Sequence, residues 1–143
     1  TPVPTTSSTS SHVRSLLSRR TYERSIFSLG SALALLSVAA GAFGGHVLKP
    51  RLTTDLFEIF EVGARYHMYH ALALLAVSWA HTQWPGALTA AAGWLFVAGI
   101  ALFSGSLYVL SLSGVRWLGA VTPLGGLCFM VGWLCLGLAA WRS

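Results

Sequence analysis

Hydrophobic residues run along this chain in long uncharged blocks, not in the one-sided stripes of helices that pack in water. No Asp, Glu, Lys or Arg falls between Ile26 and Leu48, between Tyr66 and Val115, or between Trp117 and Trp141. A helix needs about 20 apolar residues to cross the hydrocarbon core of a bilayer. The middle block is long enough for two crossings, with Thr82-Gln83-Trp84-Pro85-Gly86 supplying the turn between them. The pattern predicts an all-α, four-helix transmembrane bundle, with spans at about 26–48, 62–81, 87–111 and 118–141.

The breaks between blocks carry local signals. Lys49-Pro50-Arg51 ends the first helix, because proline has no amide to donate and restricts the residue before it. Asp55 followed by Glu58 resembles a capping box, and both acids suit the positive end of a helix dipole. Leu56, Phe57, Ile59 and Phe60 alternate there with Glu58 and Glu61, which reads as an interfacial segment leading through Gly63 and Arg65 into the second span. Near the last span, Thr122-Pro123 offers an N-cap and a proline at the first helical position. The final helix then either starts at Pro123, leaving 115–121 as a short interfacial piece, or runs longer and kinks there.

Residues 1–25 differ in character. The first eleven are Thr, Ser and Pro with one Val, a composition that favours an extended arm. From His12 to Ser28 the segment is rich in Arg and Ser with one acid, and Val13, Leu16, Leu17 and Arg20 fall at helical spacing. This is the look of a mitochondrial targeting segment or of what remains of one after processing, and a start at Thr fits either processing or a choice of numbering. Residues 26–143 then form the membrane domain.

Composition adds two constraints. Of 143 residues, 55% are hydrophobic and only 9% charged, which leaves room for one bundle and no separate soluble domain. The net charge of +5 is concentrated before the first span, at Arg14, Arg19, Arg20 and Arg24. Without interleaved aromatics, this cluster points to retention on the non-translocated side of a membrane and not to nucleic acid. With four spans, that side also holds the 82–86 turn and Arg142, giving five cations against Lys49, Arg51, Arg65 and Arg116 on the other. Both termini are expected on the matrix side of the mitochondrial inner membrane.

Polar side chains within spans are costly and tend to face the bundle interior. His67 and His70 lie three apart and Tyr66 lies one turn from His70, so these rings share a face, with Tyr69 beside them. His46, at the end of the first span, is expected to meet His67 or His70 at one depth. A metal or haem site, or a proton relay, is one reading of these rings. Hydrogen bonding between helices is the preferred one, because no HExxH, CxxC or carboxylate within a span completes a site. No cofactor, metal or catalytic residue is expected. Gly41 and Gly45 form a GxxxG pattern, with Ser37 one step earlier, and are expected to pack one helix closely on another. Cys128 and Cys135 read as small apolar core residues.

Four stretches occur together in order: Gly41-Ala-Phe-Gly-Gly-His46-Val-Leu-Lys49, Tyr66-His-Met-Tyr-His70-Ala-Leu-Ala-Leu74, Phe103-Ser-Gly-Ser-Leu-Tyr108 and Thr122-Pro-Leu-Gly-Gly126. Over about Leu29 to Trp141 the chain resembles the small four-span family of domain of unknown function 423, with bacterial and mitochondrial members. That family has no established reaction, so the resemblance carries no catalytic residue across. It does imply one cluster of His46, Lys49, Tyr66, Tyr69, His70, Ser104, Ser106 and Tyr108. The basic leader lies outside the resemblance and favours a mitochondrial member.

Two functional expectations follow. The first is a non-catalytic accessory subunit of a mitochondrial inner-membrane assembly, such as a respiratory-chain complex, with the lipid bilayer and other membrane subunits as partners. It rests on the small size, the small-residue helix surfaces and an arm that buries little against itself. The second is a stand-alone membrane carrier or channel-like protein.

Overall fold

A computed structural model describes the backbone of residues 6–142, with side chains from residue 13 onward. Among the described residues there is no strand, and the chain folds into four helical rods. The first is α1 (Thr6–Phe43), extended by a π-helical turn (Gly44–Leu48). The second is α2 (Thr54–Gln83). The third joins α3 (Ala87–Gly99), a π-helical turn (Ile100–Ser104) and α4 (Gly105–Ser113) in one continuous run. A short 3-10 piece (Arg116–Ala120) then leads into α5 (Thr122–Trp141).

The N-terminal arm is not extended where it is described. It is helical from Thr6 and continuous with the first span, without a break at residue 25. No proline or glycine interrupts the chain between Thr5 and Leu29, so a helix nucleated in the apolar block propagates outward at little cost. At 1.5 Å per residue, α1 is about 57 Å long, well beyond the thickness of the hydrocarbon core. Side chains from Val13 to Arg20 are exposed, and burial begins around Tyr22 and Ile26. Residues 1–5 lie outside the described residues.

Three rods are long and apolar enough to cross a membrane, over Val13–Leu48, Ala87–Ser113 and Arg116–Trp141. The α2 rod does not meet that standard, because Glu58, Glu61, Arg65 and the His/Tyr cluster dilute it. It is instead one of the two enclosed rods, with Phe60, Gly63, His67, Ala71, Leu74 and Val77 buried along it. It packs between α1 on one side and the α3/α4 rod on the other. The other helices shield its polar groups and let it remain the least apolar of the four. The amphipathic start at Leu56–Glu61 is one unbroken helix with the rest.

Helix α2 starts differently from a capping box. Thr53 occupies the N-cap position with extended φ and ψ of −65° and 156°, and it makes no side-chain cap. Its hydroxyl instead donates to the Asp55 carboxylate, which also receives Arg116 Nη2 at 3.1 Å. These contacts, Thr53 foremost, hold the Asp55 carboxyl below the usual carboxylate range. At the same end of the bundle, Thr122 is the first residue of α5 and Pro123 lies in its first turn. The shorter last helix is therefore the one formed, with 116–120 as a separate piece.

The packing seams are built on small residues, but not on Gly41 and Gly45. An added Cβ at either would meet nothing within 4 Å, and both face outward. The α1 seam runs through Gly30, Ser37 and Gly44, seven apart, which keeps them on one face over two turns each. A Cβ at Gly30 would lie 2.9 Å from Leu74 Cβ, and one at Gly44 would lie 2.8 Å from the Phe60 ring. Between them, Ser37 Oγ donates to the Ala64 carbonyl at 2.9 Å. The third rod and α5 approach through Gly99 against Phe129, Gly125 against Phe103, and Gly132 against Phe96. Ile26, Leu74, Val77, Phe96, Ile100 and Phe129 make the common core.

Candidate functional site

The π-helical turn in the third rod places Phe103 against Gly125, and beside it α2 presents Tyr66, Tyr69 and His70. Together with Phe129 and Trp133 of α5 these residues line an open groove of about 880 Å³. A π-turn adds a residue to one helical turn, and such turns are frequent at functional sites. Here it shifts the register where α5 comes closest.

His70 is the fixed point of the groove. It is buried, its ring lies 3.4 Å from that of Phe129 centroid to centroid, and the two planes are 5° apart. Nδ1 lies 2.8 Å from the Tyr66 carbonyl. A carbonyl accepts only, so Nδ1 carries the proton and donates. The other nitrogen, Nε2, accepts from Trp133 Nε1 at 3.3 Å. Both ring nitrogens are thus engaged in the neutral tautomer, and α2 is tied to α5. A ligand bond to Nε2 would require Trp133 to move.

His67 faces the other direction, toward α4. Its Nδ1 is 3.1 Å from the Tyr108 hydroxyl, while its buried Nε2 has no hydrogen-bond partner. Tyr108 packs in turn on Phe60, with ring centroids 5.0 Å apart. Ser104, fully buried within the π-turn, also leaves its hydroxyl without a partner. Ser106 donates to the Phe103 carbonyl at 2.9 Å and lies 3.0 Å from the Thr122 hydroxyl, joining α4 to the start of α5.

The polar residues singled out in the sequence therefore divide into groups. Tyr66, Tyr69 and His70 line the groove, with Tyr66 and Tyr69 rings 5.8 Å apart. His67 and Tyr108 form a second contact across α2 and α4. His46 does not join either: it is exposed on the first π-turn and makes no hydrogen bond or ring contact among the described residues. The α1 seam sets His70 opposite residues between Gly30 and Ser37, about 20 Å along the helix from His46, so the two histidines lie at different depths. Lys49 is also exposed and sits 6.0 Å from the centroid of the Phe57 ring. Among the described residues no three His, Cys, Asp or Glu side chains converge as a metal site. Trp133, Phe129 and Phe103 were missed by polarity alone. The available signal was the one-turn spacing of Phe129 and Trp133 downstream of Pro123.

The family described as "Protein of unknown function (DUF423)" matches residues 40–126. Among curated relatives, the UPF0382 membrane protein YwdK of Bacillus subtilis is 45% identical over 113 residues, covering 78% of this chain and 92% of the relative. A UPF0382 membrane protein of Staphylococcus epidermidis is 43% identical over 117 residues, covering 78% and 90%. One of Staphylococcus saprophyticus is 39% identical over 120 residues, covering 80% and 94%. No solved structure matches the chain significantly. These relatives are bacterial membrane proteins, and they overturn the expectation of a respiratory-chain accessory subunit in the mitochondrial inner membrane. The mitochondrial location in that expectation rested on an Arg- and Ser-rich leader, a composition that a basic helix flanking a bacterial span shares. The chain is a membrane protein and belongs to the DUF423 family.

Proposed function

We propose that this chain is a small stand-alone carrier-like protein that binds an uncharged, flat, largely apolar molecule in the groove between α2 and α5. The observation that carries this reading is the groove itself: aromatic rings line it, and the continuous rod beside it carries a π-turn. Such turns are frequent at functional sites. The spans contain no Asp, Glu, Lys or Arg at this depth, so a charged cargo would find no counter-ion. With both nitrogens engaged, His70 holds the wall of the groove and needs no metal to do so.

In this reading all four rods span, α2 between α1 and the third rod, and the amphipathic start of α2 lies at the interface. Both termini and the 82–86 turn face the cytoplasm, where Arg14, Arg19, Arg20 and Arg24 resist translocation. The membrane is the plasma membrane, as suits relatives from Bacillus and Staphylococcus. No catalytic role is assigned to any residue.

Energy transfer from tryptophan to the uncharged probe N-phenyl-1-naphthylamine tests the groove in the purified full chain. Saturable transfer that is lost in both Trp133→Phe and Gly126→Leu is expected, since the second variant fills the groove from α5. Non-saturable partitioning, or saturable transfer unchanged by Gly126→Leu, would refute the reading.

A further inference from the structure

At the opposite end of the bundle a separate cleft of about 310 Å³ opens where α1, the end of α2 and the start of α3 meet. Arg19 and Tyr22 of α1, His81 of α2 and Pro85, Gly86 and Ala87 of the turn line it. The first-turn amides of a helix have no acceptor within the helix and carry the positive end of its dipole. In α3 nothing replaces that acceptor: Gly86 at the N-cap offers no side chain, and the first turn has no acid. Thr89, the nearest hydroxyl in that turn, donates to the Trp84 carbonyl at 2.7 Å and so does not cap. An added Cβ at Gly86 would meet nothing within 4 Å, so the approach to the amides is open.

The second observation is His81. It is 7% exposed, it lines the cleft, and its Nδ1 is buried without a hydrogen-bond partner. Its ring rests on Tyr22 at 4.6 Å between centroids, which fixes it in place. The Tyr22 hydroxyl is occupied, donating to the Ala90 carbonyl at 3.0 Å, and does not compete for a ligand. Arg19 forms no salt bridge or side-chain hydrogen bond among the described residues. Glu23 is close enough to act on His81, but it lines a different cleft with Arg24. On the other flank of the same turn, Arg142 lines a third cleft with Pro85, Gly86 and Ala87. The start of α3 at Gly86 and Ala87, the Arg19 cation and the His81 imidazole meet in this cleft, while Leu88 and Thr89 line the adjoining one and Glu23 acts on His81 from outside both.

We propose that this cleft binds a phosphate-bearing anion, its oxygens on the first-turn amides of α3, with Arg19 above it and His81 donating from the side. The same chemistry fits the headgroup of an anionic phospholipid and free phosphate. In the four-span arrangement the cleft lies at headgroup depth on the cytoplasmic side.

Hydrogen exchange at residues 87–89 reads the site directly. The full chain is placed in nanodiscs of phosphatidylcholine alone, of phosphatidylcholine with phosphatidylglycerol, or of phosphatidylcholine with added inorganic phosphate. An anion bound there slows exchange of these amides about tenfold, the size of one charge-assisted hydrogen bond. Protection by phosphatidylglycerol only assigns the lipid headgroup, and protection by inorganic phosphate also assigns the free anion. Either supports the site if Arg19→Gln, an exposed change that leaves the fold intact, removes most of the effect and His81→Gln weakens it. Unchanged exchange in both arms, or protection that survives both substitutions, would overturn the proposal.

Discussion

Replacing Gly125 with Ala should loosen the bundle, whereas the same change at Gly41 should not. A Cβ at Gly125 would meet the Phe103 amide nitrogen, with Phe103 Cβ at 2.7 Å and its Cα at 2.8 Å. Two of these three atoms are backbone and cannot swing aside. Helix α5 must therefore move away from the π-turn, and overpacking of this kind costs about 1–3 kcal/mol. Alanine is the better helix former by about 1 kcal/mol, but a denatured state in detergent keeps much of its helix and shares that gain. The net expectation for Gly125→Ala is a loss of about 1–2 kcal/mol. At Gly41 the added methyl meets nothing within 4 Å, so the change is expected to be neutral within about 0.5 kcal/mol. Equilibrium unfolding of the two variants in mixed dodecylmaltoside and SDS micelles, followed by tryptophan fluorescence, measures the difference. Equal stability of the two, or a larger loss at Gly41, would show that the seam has been placed on the wrong glycines.

Three further outcomes follow from the contacts described. Trp133→Phe removes the indole N–H that His70 Nε2 accepts and should cost about 0.6–2 kcal/mol by the same unfolding assay, because the imidazole keeps a buried acceptor without a donor. Ser37→Ala should cost about 0.6 kcal/mol, the typical value of one interhelical hydrogen bond in a membrane protein, since only the bond to the Ala64 carbonyl is lost. Asp55→Asn should show a stability difference from the parent that depends on pH. The folded pKa of Asp55 lies below its ordinary value, so its contribution is present above about pH 4 and is lost as pH falls through the folded value. Being exposed, the group should give a small difference at about pH 7 and none at about pH 2 in paired unfolding curves.

Uncharged blocks and turn residues made the rods legible. The 82–86 turn, the stop after Leu48 and the start of α5 at Thr122 all follow from local chemistry that a single sequence displays. The helical arm was misread because composition describes average preference, while a neighbouring apolar helix decides whether a polar segment continues it. The seam was misread for a related reason. Gly41/Gly45 and Gly30/Ser37/Gly44 both place small residues on one face, and only the position of Phe60, Ala64 and Leu74 on α2 selects the second. His46 was expected near His70 because the end of the first span and the start of the second share a side, but Gly44 pairs with Phe60 and Gly30 with Leu74, which sets His70 several turns deeper than His46. The groove was half legible: Tyr66, Tyr69 and His70 stood out as polar residues in a span, but Phe103, Phe129 and Trp133 looked like ordinary lipid-facing aromatics.

The central claim is that α2, the least apolar rod, crosses the membrane between α1 and the third rod. Its two ends are exposed at Glu58 and Gln83, 25 residues apart along one helix, so single cysteines placed there in a Cys128→Ala, Cys135→Ala background report sidedness directly. With a membrane-impermeant maleimide on intact cells, Glu58→Cys should label from outside and Gln83→Cys only after the cytoplasmic face is opened. Labelling of both cysteines from the same face would contradict the account, because α2 would then lie along the membrane and the four-span bundle would not exist.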